Sequence, residues 1–191
     1  MRFLEDQHYI KLTQKGDMQA FAMLVQKHQR VVYTLAVRML KNPEEAQEAA
    51  QDTFVKVYQS LAGFEGKSKF TTWMYRIVYN ECLSRIRKSK NHFTQLDEMV
   101  DTKDEPSDFQ DGLELMHREE RADMVKKGIE SLPPNEAVVV TLFYLEDQSV
   151  KEIATIAGMT ESNVKVSLHR GRKHLAIVLQ KLFNKELIGL S

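Results

Sequence analysis

Lys165, Ser167, His169, Arg170, Arg172 and Lys173 crowd six polar side chains into nine consecutive positions of this 191-residue chain. Val164, Leu168 and Leu175 run between them at three-to-four-residue spacing, so a helix here buries its apolar side and leaves the cations on the other. That combination suits a polyanion. Cations meet phosphates, long polar side chains hydrogen-bond base edges, and the width of a helix fits the major groove of DNA. The elements that must position this helix are legible from Ser149 to Leu175, SVKEIATIAGMTESNVKVSLHRGRKHL. Ser149 caps a first short helix and Glu152, three residues on, closes a capping box. Val150, Ile153 and Ala154 give that helix one apolar face. Gly158 supplies the left-handed residue that ends it, and Thr160 caps the second helix. The segment therefore predicts a helix-turn-helix with a basic recognition helix. A solvated basic helix in a bundle shares the local pattern, so the rest of the chain decides between them.

Charge is balanced overall, with 27 basic and 27 acidic residues, but unevenly placed. Residues 1–93 hold 15 Lys or Arg against 9 Asp or Glu, residues 94–123 hold 3 against 11, and residues 124–191 hold 9 against 7. Two mildly basic blocks flank an acidic connector, which implies two modules that meet polyanions and a strap that does not. The strap either lies over a basic surface, weakening unproductive DNA binding, or is a solvated linker. A single cysteine, Cys82, excludes an internal disulfide framework and points to a reducing compartment. No run approaches the ~18 apolar residues of a membrane span, and the polar start MRFLEDQHYIKL is no signal peptide. A cytoplasmic protein without membrane insertion is expected.

Little speaks for an enzyme. His8, His28, His92, His117, His169 and His174 show no metal-ligand spacing, no glycine-rich phosphate loop follows a strand, and Cys82 has no sequence-visible base. No metal, cofactor or small-molecule substrate is expected. His169 and His174, on the basic helix, are assigned to DNA or solvent.

Helical periodicity recurs and strand-like alternation hardly appears, which predicts an all-α chain. A short helix from Glu5 to Lys15 ends at Gly16, and Asp17 caps a long one with the stripe Phe21, Leu24, Val25, Val32, Leu35, Ala36 and Met39. Asn42-Pro43-Glu44-Glu45 restarts a helix by cap, N1 proline and acids on the positive end of the dipole. Its stripe is Ala46, Ala50, Phe54, Val57 and Leu61. Gly63 to Lys69 reads as an exposed loop. A fourth helix from Thr71 or Thr72 runs through Trp73, Ile77 and Cys82 to Arg85-Ile86-Arg87-Lys88. Periodicity then lapses from Ser89 to about Gly112, and helix returns from Leu113 to Ser131 and from Asn135 to Leu145. The predicted organisation is two small helical domains, 1–93 and 113–191, joined by an acidic flexible linker at 94–112.

With both modules in view, the chain resembles the extracytoplasmic-function (group IV) sigma factors of bacterial RNA polymerase, from about Gly16 to Lys181. In the first module the matching residues are Gly16-Asp17 with Ala20-Phe21, then Gln51-Asp52-Thr53-Phe54-Val55-Lys56-Val57-Tyr58. Phe64-Glu65-Gly66, Phe70-Thr71-Thr72-Trp73-Met74-Tyr75-Arg76-Ile77, Asn80 and Arg87-Lys88 continue it. In the second they are Leu132-Pro133-Pro134, Glu152-Ile153-Ala154, Gly158, Asn163-Val164-Lys165 and Arg170-Gly171-Arg172. Two departures stand out: Asn135-Glu136-Ala137 where the family usually carries an arginine nearby, and Val166 where a polar base reader could sit.

The resemblance implies that the second module reads the −35 promoter element as duplex through Asn163, Lys165, Val166, Ser167, His169, Arg170, Arg172 and Lys173. It implies that the first module opens the −10 element. There Phe64, Lys67, Ser68 and Lys69 would form a loop that captures extruded bases, with Tyr75, Arg76, Asn80, Arg87 and Lys88 on the adjoining helix. Trp73 reads equally well as core. The resemblance also implies that Gln51, Asp52, Thr53, Lys56 and Tyr58 dock on the coiled coil of the largest polymerase subunit, while Phe54 and Val57 face inward. The alternative for Asp52 is an i,i+4 pair with Lys56. The implied partners are promoter DNA, core RNA polymerase through that coiled coil and the flap, and an anti-sigma factor. The rival class is a stand-alone helix-turn-helix regulator, which gives no reason for the first module.

Overall fold

A computed structural model describes the backbone of residues 2–90 and 118–189. All regular structure among them is helical. The helices are α1 (Arg2–Gln14), α2 (Met18–Leu40), α3 (Pro43–Ser60), α4 (Phe70–Lys90), α5 (Arg118–Glu130), α6 (Pro134–Tyr144), α7 (Val150–Ala157) and α8 (Glu161–Gly189), with a 3₁₀ turn at Leu61–Gly63. Most boundaries fall where side chains can satisfy the free backbone groups. Asp17 accepts from the amides of Gln19 and Ala20, and Asn42 accepts from those of Glu44 and Glu45. The Ser149–Glu152 capping box is formed on both sides, Gly158 closes α7 at φ +65°, and Thr160 Oγ1 accepts from the Asn163 amide at 3.2 Å. Some boundaries differ from expectation. α1 spans Arg2–Gln14 instead of Glu5 to Lys15, and α4 begins at Phe70 and runs on to Lys90, past Ser89 where the periodicity lapses. The expected linker at 94–112, and the expected helical residues 113–117, lie outside the described residues.

α1 to α4 pack as one bundle. Leu24, Val32, Leu35, Ala36 and Met39 of the α2 stripe are buried against Ala46, Ala49, Ala50 and Val57 of α3, while Phe21, Val25 and Phe54 are half-buried. α1 is tied to α2 through Asp6, which accepts from His28 Nε2 at 3.2 Å and Lys27 Nζ at 2.8 Å. Burial works to raise the Asp6 pKa, and these two hydrogen bonds outweigh it, so the carboxyl is held below the ordinary carboxylate range. Cys82 is fully buried and its thiol is pushed up to about 12, chiefly by burial.

The second half does not stand apart from the first. One apolar cluster runs from Leu24, Val57 and Met74 into Val138, Val139, Leu142, Ile153 and Leu168. A smaller one, Ile129, Leu132, Ala137 and Val140, lies within α5, α6 and the turn between them. The middle of α6, from Ala137 to Leu142, is buried on two sides: Val138 and Leu142 join the shared core, and Val140 meets Gly171 of α8. Each such side chain contributes about 1.5–3 kcal/mol when fully buried. Polar contacts follow the same seam. Arg38 Nη1 donates to Thr141 Oγ1, Lys41 Nζ to the Glu130 carbonyl (2.6 Å), Tyr75 Oη to Glu146 Oε2 (3.0 Å) and Thr72 Oγ1 to Gln148 Oε1 (3.3 Å).

Candidate nucleic-acid interface

α8 docks through Val164, Leu168 and Gly171, all buried. A Cβ on Gly171 would stand 2.7 Å from Val140 Cγ2, so glycine lets α8 approach α6 this closely. At 3.6 residues per turn the side opposite this stripe carries Val166, Arg170 and Lys173. Asn163 and Ser167 run along one flank, with Lys165, His169 and Arg172 along the other. All eight are exposed except Ser167, which is half-buried. His174 departs from expectation. It is half-buried and pairs through Nδ1 with Glu136 Oε2 at 2.6 Å, pinning α8 to α6 instead of facing DNA or solvent.

The loop between α3 and α4 makes a second polar surface. Gly66, at φ +73°, turns the chain, and Lys67, Ser68 and Lys69 are exposed. Phe64 packs on Trp73 with ring centroids 5.0 Å apart, and Phe70 stacks beside both. Gly63, Phe64, Glu65, Lys67, Ser68 and Trp73 line an open cleft of about 170 Å³. A water's share of the liquid is about 30 Å³, so this is room for a flat ring. Trp73 is thus a wall of the cleft, which its helical spacing to Ile77 did not reveal. Its place in the first turn after a glycine-bearing loop is the signal that could have. Lys67 pairs with Glu65, both highly exposed, whereas Lys69 Nζ meets Glu152 Oε1 at 2.8 Å. Burial works to raise the Glu152 pKa, and the bonds from Lys69 and Ser149 outweigh it and hold its carboxyl low.

On α4, Arg76, Asn80, Arg87 and Lys88 are exposed, and the first three share one face with Trp73. Tyr75 does not join them. It is only 2% exposed, turned into the shared core with its hydroxyl on Glu146, because the face it occupies is covered by the second half. The expectation that it handles extruded bases is corrected for this conformation.

The third surface lies along α3. Gln51, Asp52, Lys56 and Tyr58 are exposed, and Tyr58 rests on Phe21 with centroids 5.0 Å apart. Thr53 is fully buried with Oγ1 donating to the Ala49 carbonyl at 2.7 Å, since helix register turns it toward the core between Ala50 and Val57. The expectation of an exposed docking side chain is corrected here: Thr53 is turned inward in this structure. Asp52 and Lys56 do not pair with each other. Arg85 of α4 reaches Asp52 Oδ2 (2.5 Å), Glu48 Oε2 (3.1 Å) and Glu81 Oε1 (2.9 Å), and Lys56 pairs with the other Glu81 oxygen. Burial opposes the charge of Glu81, and Lys56 and Arg85 outweigh it. Sequence reasoning missed Arg85, whose three carboxylates come from two helices.

Among the described residues no group of three or more His, Cys, Asp and Glu side chains is placed to hold a metal ion, and no helix is long and apolar enough to cross a membrane.

The described residues thus place a helix-turn-helix beside a helical bundle with an aromatic-lined loop. The sequence profile of Sigma-70 region 2 matches residues 24–92 and that of Sigma-70, region 4 matches residues 122–175. The ECF RNA polymerase sigma factor SigW of Bacillus subtilis is 33% identical over 91% of this chain and 96% of its own length. The ECF RNA polymerase sigma-E factor of Escherichia coli is 30% identical over 95% and 98%. Among solved structures, CnrH in complex with the cytosolic domain of CnrY shares the fold at TM-score 0.62 and 21% identity, over 93% of this chain and 98% of that one. The chain belongs to the sigma-70 family, in its extracytoplasmic-function class. Its function is that of a sigma factor, directing RNA polymerase to promoters for transcription initiation.

Proposed function

We propose that the work is divided over the three surfaces just described and over two modules bounded at about residues 93 and 113. Asn163, Lys165, Val166, Ser167, His169, Arg170, Arg172 and Lys173 read the −35 element in the major groove. Arg170 stands on the outermost line of α8 and makes the bidentate contact to a base edge, Val166 beside it meets a thymine methyl, and Arg172 and Lys173 hold phosphates. The observation that carries this is the opposition of these residues to the buried Val164–Leu168–Gly171 stripe.

Phe64, Lys67, Ser68 and Lys69 form the mouth of the −10 site. The cleft takes an unstacked base of the non-template strand against Phe64 and Trp73, and Arg76, Asn80, Arg87 and Lys88 track the strand along α4. Gln51, Asp52, Lys56 and Tyr58 dock on the coiled coil of the largest polymerase subunit, and the second module meets the flap. An anti-sigma factor inhibits this chain by covering the same surfaces. In this reading the protein acts in the cytoplasm, needs no cofactor and has no enzymatic activity of its own.

Run-off transcription with core polymerase tests it. Transcripts from specific start sites should appear only when the chain is added, while the chain alone gives weak, unspecific gel shifts on the same DNA. Tight sequence-specific binding by the free chain without transcript would point to the stand-alone regulator.

A further inference from the structure

The last residue of α1 reaches across to the cleft between α3 and α4. Gln14 Nε2 donates to the Leu61 carbonyl at 2.9 Å and to the Phe64 carbonyl at 3.2 Å. Leu61 is buried, and its carbonyl also accepts from the Phe64 amide at 3.0 Å, closing the 3₁₀ turn at Leu61–Gly63. One side-chain amide thus ties the backbone on both sides of Gly63. The tie matters there because a Cβ on Gly63 would find nothing within 4 Å, so packing at the glycine itself does not fix the turn. Beyond the tie stand the groups that shape the cleft: Phe64 on Trp73, then Gly66 turning the chain and the exposed Lys67, Ser68 and Lys69.

The near end of this brace is well anchored. Ile10 of α1 is 5% exposed in the bundle core. The turn after Gln14 is closed by the Gly16 amide on the Thr13 carbonyl (2.9 Å) and the Asp17 amide on the Leu12 carbonyl (3.1 Å). α1 supports the other side of the cleft as well. His28, held by Asp6, has its ring centroid 5.6 Å from that of Phe70, which stacks beside Phe64 and Trp73. Both supports begin in α1, which precedes residues 24–92 matched by the Sigma-70 region 2 profile. Gln14 itself is exposed, so its hydrogen bonds add little to stability, and their main consequence is position.

We propose that Gln14 is a positioning residue of the −10 site: by holding the Leu61 and Phe64 carbonyls it keeps the Phe64 ring on Trp73 and sets the width of the cleft before any base arrives. An unstacked base then enters a formed slot and does not have to order the loop itself, which is where preorganisation gains affinity. Gln14 acts through Phe64 and needs no contact with DNA or polymerase. The inference rests on the assignment of the loop to the −10 element, whereas the brace is a property of the free chain.

Trp73 is the chain's single tryptophan, so its fluorescence in the free protein reports the slot directly. Gln14→Met keeps the length, flexibility and helix propensity of the side chain and removes both donors without adding charge. Circular dichroism should show the parent's helix content. Acrylamide quenching of Trp73 should rise about twofold, as a half-buried ring loses its aromatic cover. Gln14→Lys, whose ammonium still donates to both carbonyls, should keep the parent's quenching, and so should Gln7→Met, exposed two turns earlier on α1. In the holoenzyme, the probe is a single-stranded non-template oligonucleotide carrying the −10 sequence of a promoter found by run-off transcription. Gln14→Met should bind it about tenfold more weakly, as the loss of two net hydrogen bonds would give, with core assembly and −35 duplex binding at the parent's level. A general loss of structure would lower all three together. Parent-level quenching in the folded Gln14→Met variant overturns the proposal. So does parent-level −10 binding by Gln14→Met where Phe64→Ala binds weakly, because the slot then matters and the brace does not. Raised quenching with parent-level −10 binding by both variants would uphold the brace and count against the −10 assignment of the loop.

Discussion

α8 and α4 both present a polar stripe to solvent, but α8 is packed along one side between Asn163 and Lys173 and α4 along two. On α8 the residues off the Val164–Leu168–Gly171 line between Asn163 and Lys173 are exposed, except the half-buried Ser167. α4 is gripped by α2 and α3 through Met74, Val78 and Cys82 and again by the second half through Thr72, Tyr75 and Tyr79. Only Arg76, Asn80, Arg87 and Lys88 of its expected contacts stay exposed. A helix packed once has one readable polar face. A helix packed twice hides part of it.

The comparison breaks most sharply at neither helix but at the surface both depend on. Asp52→Arg places a cation beside Arg85 and where the polymerase expects an anion. Pull-down with core enzyme should show holoenzyme formation reduced by a hundredfold or more. Because Asp52 is half exposed and a surface pair contributes at most about 1 kcal/mol, the melting temperature should move by only a few degrees. If the variant assembles normally, the α3 face is not the docking surface.

A smaller effect separates the −10 loop from α8. Replacing Lys67, Ser68 and Lys69 together by alanine should leave holoenzyme assembly and duplex docking intact while permanganate finds no unpaired thymines. Transcription from a pre-melted template should recover. Promoter opening at the parent's level would move base capture from the loop to Trp73, Arg76 and Asn80.

The smallest effects lie within α8 itself. Arg170→Ala should weaken holoenzyme binding to −35 duplex by about 1–3 kcal/mol and relax preference at one or two positions. Arg172→Ala and Lys173→Ala should weaken all sequences alike and each lower the salt slope by about one. Filter-binding titrations on matched and scrambled duplexes across a salt series distinguish them, and equal loss of specificity from all three would erase the division.

What the sequence by itself determined is local. The caps at Asp17, Asn42 and Ser149, the left-handed stop at Gly158 and the buried stripe of α8 each depend on groups within a few residues, so spacing alone reveals them. The amphipathic stripes of α2 and α3 were legible for the same reason. Thr53 was not, because its neighbours on the surface register concealed a hydroxyl satisfied by its own helix. Only the tertiary structure decided the rest. Arg85 acquires Asp52 from 33 positions away, Tyr75 acquires Glu146 from 71 and Arg38 acquires Thr141 from 103, and no periodicity encodes such pairings. The run Val138-Val139-Val140-Thr141-Leu142-Phe143 was read only as part of a helix, and an apolar run of that length is a signal of burial on two sides that could have been used. It could not say what lay on the second side, because a helix records how much of its surface leaves water and not which element takes water's place.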